Sequence, residues 1–290
     1  MSVNEKMTAI ADAIRESTGG TEPLTLDDMA QEIPKIYDAG VESAHSEYIN
    51  PEWTNWRSFS YSNNRNSLVA KLKYSDTSKG TNFSYMFEGC NQLTTIPEID
   101  TSNGTDFSYM LYGCNNLTSV PELDTSKGTK FGNMFQDCKL LTSVPSINTS
   151  KGTEFNNMLN TCKQLIIAPE IDTSNGTKFS YMFAYSEKLT TIPKLNLSSM
   201  TSSSNMSGIF SNCYALENVI FEGTIKITAN TSVFSSCSKL TVDSLMSFIN
   251  ALSDNTSLSS TYTVTIGSTN LAKLTEEQKA VATNKNLKLA

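Results

Sequence analysis

The sequence contains few of the residues from which catalytic and metal sites are usually built. Its 290 residues include one histidine, His45, which has no triad or metal-ligand motif around it. The G-x-S-x-G, P-loop and Rossmann glycine patterns are missing as well. The turn sequence at Asp100–Gly104 lacks the further acidic ligands of a calcium loop. We therefore predict a protein without enzymatic activity, cofactor or metal.

Long hydrophobic runs and an excess of basic residues are also absent. No apolar run approaches the ~18 residues expected of a transmembrane helix. Met1–Lys6 is polar and lacks the basic and apolar regions of a signal peptide, so we expect none. The net charge is −7 and the isoelectric point is about 4.9, whereas nucleic acids are bound by basic surfaces. These features predict neither membrane insertion nor nucleic-acid binding.

What the sequence does contain is a motif that recurs every 24 residues between about Val69 and Val242. Phenylalanine, methionine and leucine occupy three constant positions of the regular copies. The aligned residues are Phe83, Phe107, Phe131, Phe155 and Phe179; Met86, Met110, Met134, Met158 and Met182; and Leu93, Leu117, Leu141, Leu165 and Leu189. Three extra residues near Thr201–Ser203 interrupt the period, which then resumes. Because strict periods of ~20–50 residues are typical of solenoids, we predict an α/β solenoid of about seven coils in residues 69–242.

Each copy is predicted to fold as a helix, a strand and a turn. Phe83, Met86 and Cys90 lie at i, i+3 and i+7, on one face of a helical or 3₁₀ turn. The Thr-Thr-Ile run after Leu93 favours a short strand. Turn-forming residues follow, with a glycine at a constant position, such as Gly104, where we expect a positive φ angle. One copy buries too little apolar surface to fold alone, so the copies are expected to stack in parallel.

All six cysteines occupy one position of the repeat. They are Cys90, Cys114, Cys138, Cys162, Cys213 and Cys237, and Ser186 takes this position in the copy without a cysteine. Zinc sites use paired ligands such as C-x₂-C, and disulfide-rich domains use irregular spacings. We interpret these residues as buried thiols, with disulfides between neighbouring coils and metal binding as alternatives.

The repeat resembles the leucine-rich repeats of BspA-like bacterial surface proteins, in the short form found in Gram-positive bacteria and their prophages. The phrases that carry the likeness are FSYMFEGCNQLTTIPEIDTSNGT at 83–105 and FSYMLYGCNNLTSVPELDTSKGT at 107–129. The resemblance implies a leucine-rich-repeat solenoid that serves binding or adhesion rather than catalysis.

Residues 1–50 are predicted to form a separate helical module. Apolar residues at heptad-like spacing give one helix an apolar stripe, which consists of Val3, Met7, Ile10 and Ile14. Two heptads do not make a stable coiled coil alone. The module therefore either packs on itself or on the solenoid, or it serves oligomerisation or docking. For the second case we predict a homotrimer.

The segment at residues 7–40 is similar to the N-terminal module of tail and fibre-associated proteins from phages and prophages of Gram-positive bacteria. The phrases AIADAIR and LTLDDMA, on either side of a Gly-rich gap, carry this likeness. It implies attachment to a virion or tail-like particle, through a tail or baseplate protein.

Two further segments flank the repeats. Residues 51–68 hold both tryptophans, Trp53 and Trp56, and are predicted to be a connector and N-terminal cap, with a ligand platform as the alternative. Residues 243–290 are predicted to be a C-terminal αβ cap that ends the stack. Its expected elements include a strand at Tyr262–Ile266 and a helix that begins with a capping box of Thr275 and Gln278. Its phrases also resemble the segment that closes such repeat proteins in Gram-positive prophages.

The binding residues are predicted at repeat positions whose residue type changes from copy to copy, because the fold does not determine those positions. The candidates are Tyr85, Tyr109, Tyr112, Tyr181, Asn133 and Asn157. Aromatic faces supply contact area at small entropic cost and amides add hydrogen bonds. Alternatively, the tyrosines fill space between coils, and the site then lies at the insertion near Thr201–Ser204.

These features together predict a non-enzymatic receptor-binding protein of a phage tail or tail-like particle, made in the bacterial cytoplasm. Its solenoid would present a surface to a protein or glycan on the host cell. The alternative is a bacterial surface adhesin or protein-interaction module.

Overall fold

The computed structural model describes residues 77–290. All of them belong to Thr54–Ala290, the second of two units into which the chain divides. The predicted N-terminal module and the connector at residues 51–68 lie outside the described residues.

Successive copies of the 24-residue motif are stacked in parallel. Parallel bridges join residues one copy apart from Asn82 to Lys178, through Asp106, Lys130 and Glu154. Inside the stack, phenylalanine rings of consecutive copies lie face to face, with centroids 5.6–5.8 Å apart and interplanar angles of 8° or less. The described residues therefore form a mixed α/β fold with a periodic arrangement of aromatic and cysteine side chains.

The core positions predicted from the period are confirmed. The phenylalanine and methionine positions are 0 % exposed in all five regular copies. The leucine position is also buried, from Leu93 at 7 % to Leu189 at 0 %. Because the phenylalanine rings of consecutive copies stack on one another from Phe83 to Phe179, they form one continuous apolar column.

The predicted helix at the start of each copy is wrong, and a series of tight turns replaces it. The amides of Tyr85, Phe87 and Gly89 donate to carbonyls of the following copy, at 3.0, 2.8 and 2.7 Å. The amides of Met86 and Glu88, between them, donate three residues back within their own copy. An α-helix would direct every one of these amides to the carbonyl four residues back. The i, i+3, i+7 spacing survives because consecutive turns also return the chain to one face.

The predicted strand forms as a regular β-strand only in the later copies of the described chain. Strand β1 (Thr191–Asn196) pairs in parallel with β2 (Asn218–Glu222), and the register shifts between Ile192 and Leu195. The shift lies at Pro193, which has no amide hydrogen to donate. Earlier described copies carry a proline at the same position, and the segment around it forms no strand there, with a single parallel bridge from Ile167 to Thr191.

The repeated glycine follows a different physical rule from the one predicted. Gly104, Gly128, Gly152 and Gly176 do not have positive φ angles. A Cβ atom on Gly104 would lie 2.4 Å from Cζ of Phe107. The position therefore requires glycine because the phenylalanine ring three residues later, which opens the following copy, packs against its backbone.

The insertion after the regular copies forms a short 3₁₀ helix, and the remaining elements follow it. The 3₁₀ helix is Ser203–Met206, capped by the Ser202 side chain. The later elements are β3 (Thr231–Ser232), α1 (Val242–Ala251), β4 (Tyr262–Thr265), α2 (Ser268–Leu271), α3 (Glu276–Thr283) and β5 (Leu287–Leu289). Strands β3, β4 and β5 form a parallel sheet in that order. The predicted capping box of Thr275 and Gln278 is confirmed.

Asn270 connects the C-terminal segment to the last repeat, and Lys285 connects two elements within that segment. The Asn270 amide, 1 % exposed, donates to the carbonyls of Phe234, Cys237 and Ile266. Lys285 Nζ donates to carbonyls at the end of α1, including Leu252 at 2.7 Å. Burial lowers the pKa of Lys285. Within residues 77–290, helices are too short or too polar to cross a bilayer.

Candidate binding surface

One repeat position holds the backbone in the left-handed region and carries most of the predicted binding residues. Its φ angles are 62° at Tyr85, 59° at Tyr109, 61° at Asn133, 54° at Asn157 and 57° at Tyr181. Gly208 continues this position beyond the insertion, with φ 62°. We call these six residues the left-handed row. Asparagine and glycine adopt this conformation readily, whereas a bulky side chain is strained there.

A second left-handed position lies four residues further along each copy. It holds Gly89, Gly113, Asp137, Thr161, Tyr185 and Asn212, with φ angles from 59° to 72°. Tyr185 is 45 % exposed and is not among the binding residues predicted from the sequence. The sequence alone could have indicated this second left-handed position, because glycine, aspartate and asparagine at one repeat position are typical of left-handed backbone.

Three of the predicted tyrosines form a cluster at one end of the left-handed row. The rings of Tyr85 and Tyr109 are stacked, with centroids 4.6 Å apart and planes 5° from parallel. Tyr112 meets Tyr109 edge to face, with centroids 5.7 Å apart. All three side chains are half-buried. The rings thus pack on one another between copies and still present part of their area to solvent, so each of the two predicted roles has support.

The two predicted asparagines are less accessible than the tyrosines. Asn133 is 4 % exposed, which corrects its expected position on the surface. Asn157 is half-buried, and its Oδ1 accepts a hydrogen bond from Asn160 Nδ2 at 3.0 Å. Their receptor-binding role stays a prediction.

Tyr181 is the most exposed member of the left-handed row, at 44 %. Its ring lies over Gly208, where an added Cβ would be 2.4 Å from Tyr181 Cε1. It is separated from Tyr109 by the two asparagine-bearing copies. The structure therefore does not gather the four predicted tyrosines into one site, but distributes them along one face. The predicted attachment residues Val3, Met7, Ile10 and Ile14 lie outside the described residues.

Charges next to the left-handed row are paired between copies. Lys130 binds Asp106 at 3.1 Å, and Lys178 binds Glu154 at 2.8 Å. The hydrogen bond from Lys130 to Asp106 raises the pKa of Lys130. Because positive and negative side chains alternate along this position, the tyrosine face has little net charge.

Another turn of the repeat, the one that holds Asp124 and Asp172, carries carboxylates in a regular hydrogen-bonding pattern. Asp124 and Asp172 each accept the main-chain amide two residues ahead, at 2.9 and 3.0 Å. Hydrogen bonds from Ser126 and Ser174 lower the pKa values of these two carboxyl groups. Within residues 77–290 no group of three or more His, Cys, Asp or Glu side chains is arranged to hold a metal ion.

The cysteines are structural thiols. All six are buried and free, which excludes the disulfide alternative in this structure. Cys114, Cys138 and Cys162 donate to carbonyls of the preceding copy at 3.1, 3.3 and 3.3 Å. Burial raises the pKa of Cys237 to about 12 and those of Cys138, Cys162 and Cys213 as well. Raised pKa values disfavour the thiolate, the form that reacts or binds metals.

Comparison with known families agrees with this periodic structure. The sequence matches the family described as Mycoplasma protein of unknown function, DUF285, over residues 56–169 and 148–248. The chain belongs to the DUF285 family. Membership links it, at a coarse level, to the BspA-like repeat proteins that the motif resembles. No curated protein matches the sequence.

Proposed function

We propose that this DUF285 protein is a non-enzymatic receptor-binding protein of a phage tail or tail-like particle. In this proposal, residues 69–242 form a leucine-rich-repeat solenoid of about seven coils, and residues 243–290 cap it. Residues 1–50 attach it to a tail or baseplate protein, as a homotrimer. The tyrosine-bearing face contacts a protein or glycan on the bacterial surface.

The observation that supports this proposal best is tyrosine at positions where tyrosine is unfavourable. Tyr85, Tyr109 and Tyr181 occupy left-handed backbone that Asn133 and Asn157 fill in the neighbouring copies. Non-glycine residues in sparsely populated conformations cost ~1–3 kcal/mol each and cluster at functional sites. The fold does not require the aromatic ring, since asparagine serves the same position. A ring that is at least partly exposed and that occupies such a position at this cost points to contact with a partner.

The arrangement of these rings also suits recognition. Tyr85, Tyr109 and Tyr112 hold one another through stacked and edge contacts, so their orientations are set before a partner arrives. Preorganised aromatic side chains lose little conformational entropy on binding. The paired charges beside them contribute no strong field, which favours a partner bound through packing and hydrogen bonds.

Asparagine substitutions test this role without damaging the fold. The variant Tyr85→Asn/Tyr109→Asn places in the row the residue it already carries at Asn133 and Asn157. We expect its melting temperature to be unchanged or higher, because asparagine relieves the left-handed strain. We expect attachment of the labelled protein to host cells to fall at least tenfold, as measured by fluorescence on cells.

An exposed tyrosine elsewhere provides the matched control. Tyr214 is 53 % exposed, and its repeat position holds Lys163 and Glu187 in other copies. The variant Tyr214→Glu should leave attachment unchanged. If the double asparagine variant attaches as well as the unmodified protein, the tyrosine cluster is not the receptor-binding surface.

The alternative, a bacterial surface adhesin, is separated from the tail assignment by where the protein is found. Electron microscopy of particles with gold-labelled protein should show label at the tail tip. Label confined to cell envelopes would contradict the tail assignment and favour the adhesin.

A further inference from the structure

A groove of about 380 Å³ lies beside Tyr181, at the copies that follow the regular repeats. One wall is formed by the 3₁₀ helix and the turn after it, and the other by the start of β3. Its volume is within the range of ~300–1,000 Å³ typical of small-ligand sites. None of the described residues that line it is charged.

The groove exists because the left-handed row changes from large to small side chains at this point. Gly208 follows Tyr181 in the row, and Ser232 lies one copy further. A side chain on Gly208 would collide with the Tyr181 ring and would have to adopt a φ of 62°. Gly208 therefore both supports the ring and keeps the space beside it open.

The lining is rich in polar groups that have no hydrogen-bond partner in the part of the chain that the structure describes. Among residues 77–290, the hydroxyls of Ser207, Ser211, Thr231 and Tyr181 and the amide nitrogen of Asn230 make no hydrogen bond. Other lining groups are fixed: Asn230 Oδ1 accepts the Thr263 amide at 2.8 Å, and Ser232 donates to Ser235. The groove thus offers an exposed aromatic ring together with several unused donors and acceptors at defined positions.

We infer that this groove binds a neutral saccharide, with a pyranose ring against Tyr181 and its hydroxyls bonded to Ser207, Ser211, Thr231 and Asn230. A sugar presents apolar C–H faces and many hydroxyls, which match an aromatic ring and uncharged hydrogen-bonding side chains. The uncharged lining disfavours phosphate, acidic sugars and metal ions, each of which requires opposite charge nearby. This inference rests on the proposed receptor-binding function, and it names a glycan as the receptor class.

The experiment measures binding of methyl glycosides of glucose, galactose, N-acetylglucosamine and rhamnose to the full chain. Saturation-transfer NMR would report binding, with glucuronic acid as the acidic comparison. We expect saturable binding of at least one neutral glycoside and none of glucuronic acid. Tyr181→Asn should weaken binding about tenfold. Thr231→Val keeps the side-chain shape and removes the hydroxyl, and it should weaken binding about two- to tenfold.

Tyr185→Asn is the matched control, because Tyr185 has nearly the same exposure and a φ of 60° in the same copy, but does not line the groove. It should bind the sugar as the unmodified protein does. Binding of none of the neutral glycosides overturns the inference. Equal affinity in Tyr181→Asn, or preference for glucuronic acid, also overturns it.

Attachment to treated host cells distinguishes a failure of this inference from a failure of the proposed function. Periodate treatment destroys vicinal diols of glycans, and protease treatment removes surface proteins. Loss of attachment after periodate, but not after protease, agrees with a saccharide receptor. The reverse result identifies a protein receptor and overturns this site, while the receptor-binding function stands.

Discussion

The thiol of Cys114 donates a hydrogen bond to the main-chain oxygen of Phe87, one copy earlier in the stack, at 3.1 Å. Ser186 occupies the same repeat position, and its hydroxyl donates to Leu159 at 2.8 Å. This position therefore selects a small donor inside the core, which adds a second hydrogen bond to a main-chain carbonyl, since the Phe87 oxygen also accepts the Cys90 amide at 3.0 Å.

Cysteine at this position should be replaceable by serine but not by a larger apolar residue. We expect Cys138→Ser to change the free energy of unfolding by no more than about 1 kcal/mol, since the hydroxyl repeats the bond of Ser186. Cys138→Val should destabilise by about 1–3 kcal/mol, because it overfills the core and removes one of the two hydrogen bonds that the Leu111 carbonyl accepts. Urea denaturation measures both. Equal losses in the two variants would contradict this account.

The repeated glycine should not tolerate a methyl group. Gly128→Ala would place Cβ 2.5 Å from Cζ of Phe131 and 3.0 Å from the Thr125 carbonyl. We expect a loss of about 1–3 kcal/mol in unfolding free energy, because both neighbours are fixed in the stack. In Gly132→Ala the nearest contact is the Asn156 side chain at 3.1 Å, which can move. That control should stay within about 1 kcal/mol of the unmodified protein.

The aspartates of the turns should make the fold sensitive to acid. Their pKa values are lowered in the folded chain, so their stabilisation is present above the unfolded pKa near 3.8 and is lost as pH falls below it. Asn148 forms the same turn with Ser150, at 3.1 Å, without a titrating group. We expect the variant Asp124→Asn/Asp172→Asn to have the melting temperature of the unmodified protein at pH 7. Between pH 5 and pH 3 its melting temperature should fall less than that of the unmodified protein. Identical acid profiles would exclude these carboxylates as the cause.

Asn270 should be essential for the stability of the C-terminal segment. Its buried amide serves three carbonyls, from the last repeat and from the loop before α2. Asn270→Ala removes the buried donor of all three carbonyls, of which those of Phe234 and Cys237 still accept a main-chain amide. We expect it to lower the free energy of unfolding by about 1–3 kcal/mol, as measured by thermal unfolding. Asn284 is exposed at the end of α3, and Asn284→Ala should have little effect. A small loss at Asn270 would mean that water replaces the amide.

The core of this fold was predictable from the sequence because burial follows apolar periodicity. Phe107, Met110 and Leu117 are 0 % exposed, as the 24-residue period predicts. The same spacing did not reveal the backbone conformation, since a helix and a series of turns place the same residues on one face. A helix and a series of turns differ in the carbonyl to which each amide donates. The Tyr85 amide, for example, donates to the Ser108 carbonyl in the next copy, a contact that local sequence does not specify.

The candidate surface was predictable in part. Variation between copies identified Tyr181 and the cluster around Tyr109. It also selected Asn133, which is buried, because variation marks positions without a required side chain and does not distinguish surface from interior. The groove beside Tyr181 arises from the register shift at the insertion and from a missing side chain at Gly208. Neither effect is visible until neighbouring copies are placed against each other.

The hydrogen bonds between copies have a consequence for how such a gene can change. Most of them join atoms whose residues are separated by one full copy, as in Thr105 to Thr81 and Thr129 to Thr105. Recombination that removes or duplicates one complete copy therefore restores every junction with its original partners. The protein can lengthen or shorten its face by single units, each bringing one residue of the left-handed row. Under the proposed receptor-binding function, such changes would alter the number and order of tyrosines that meet the host surface and would leave the buried core as it was.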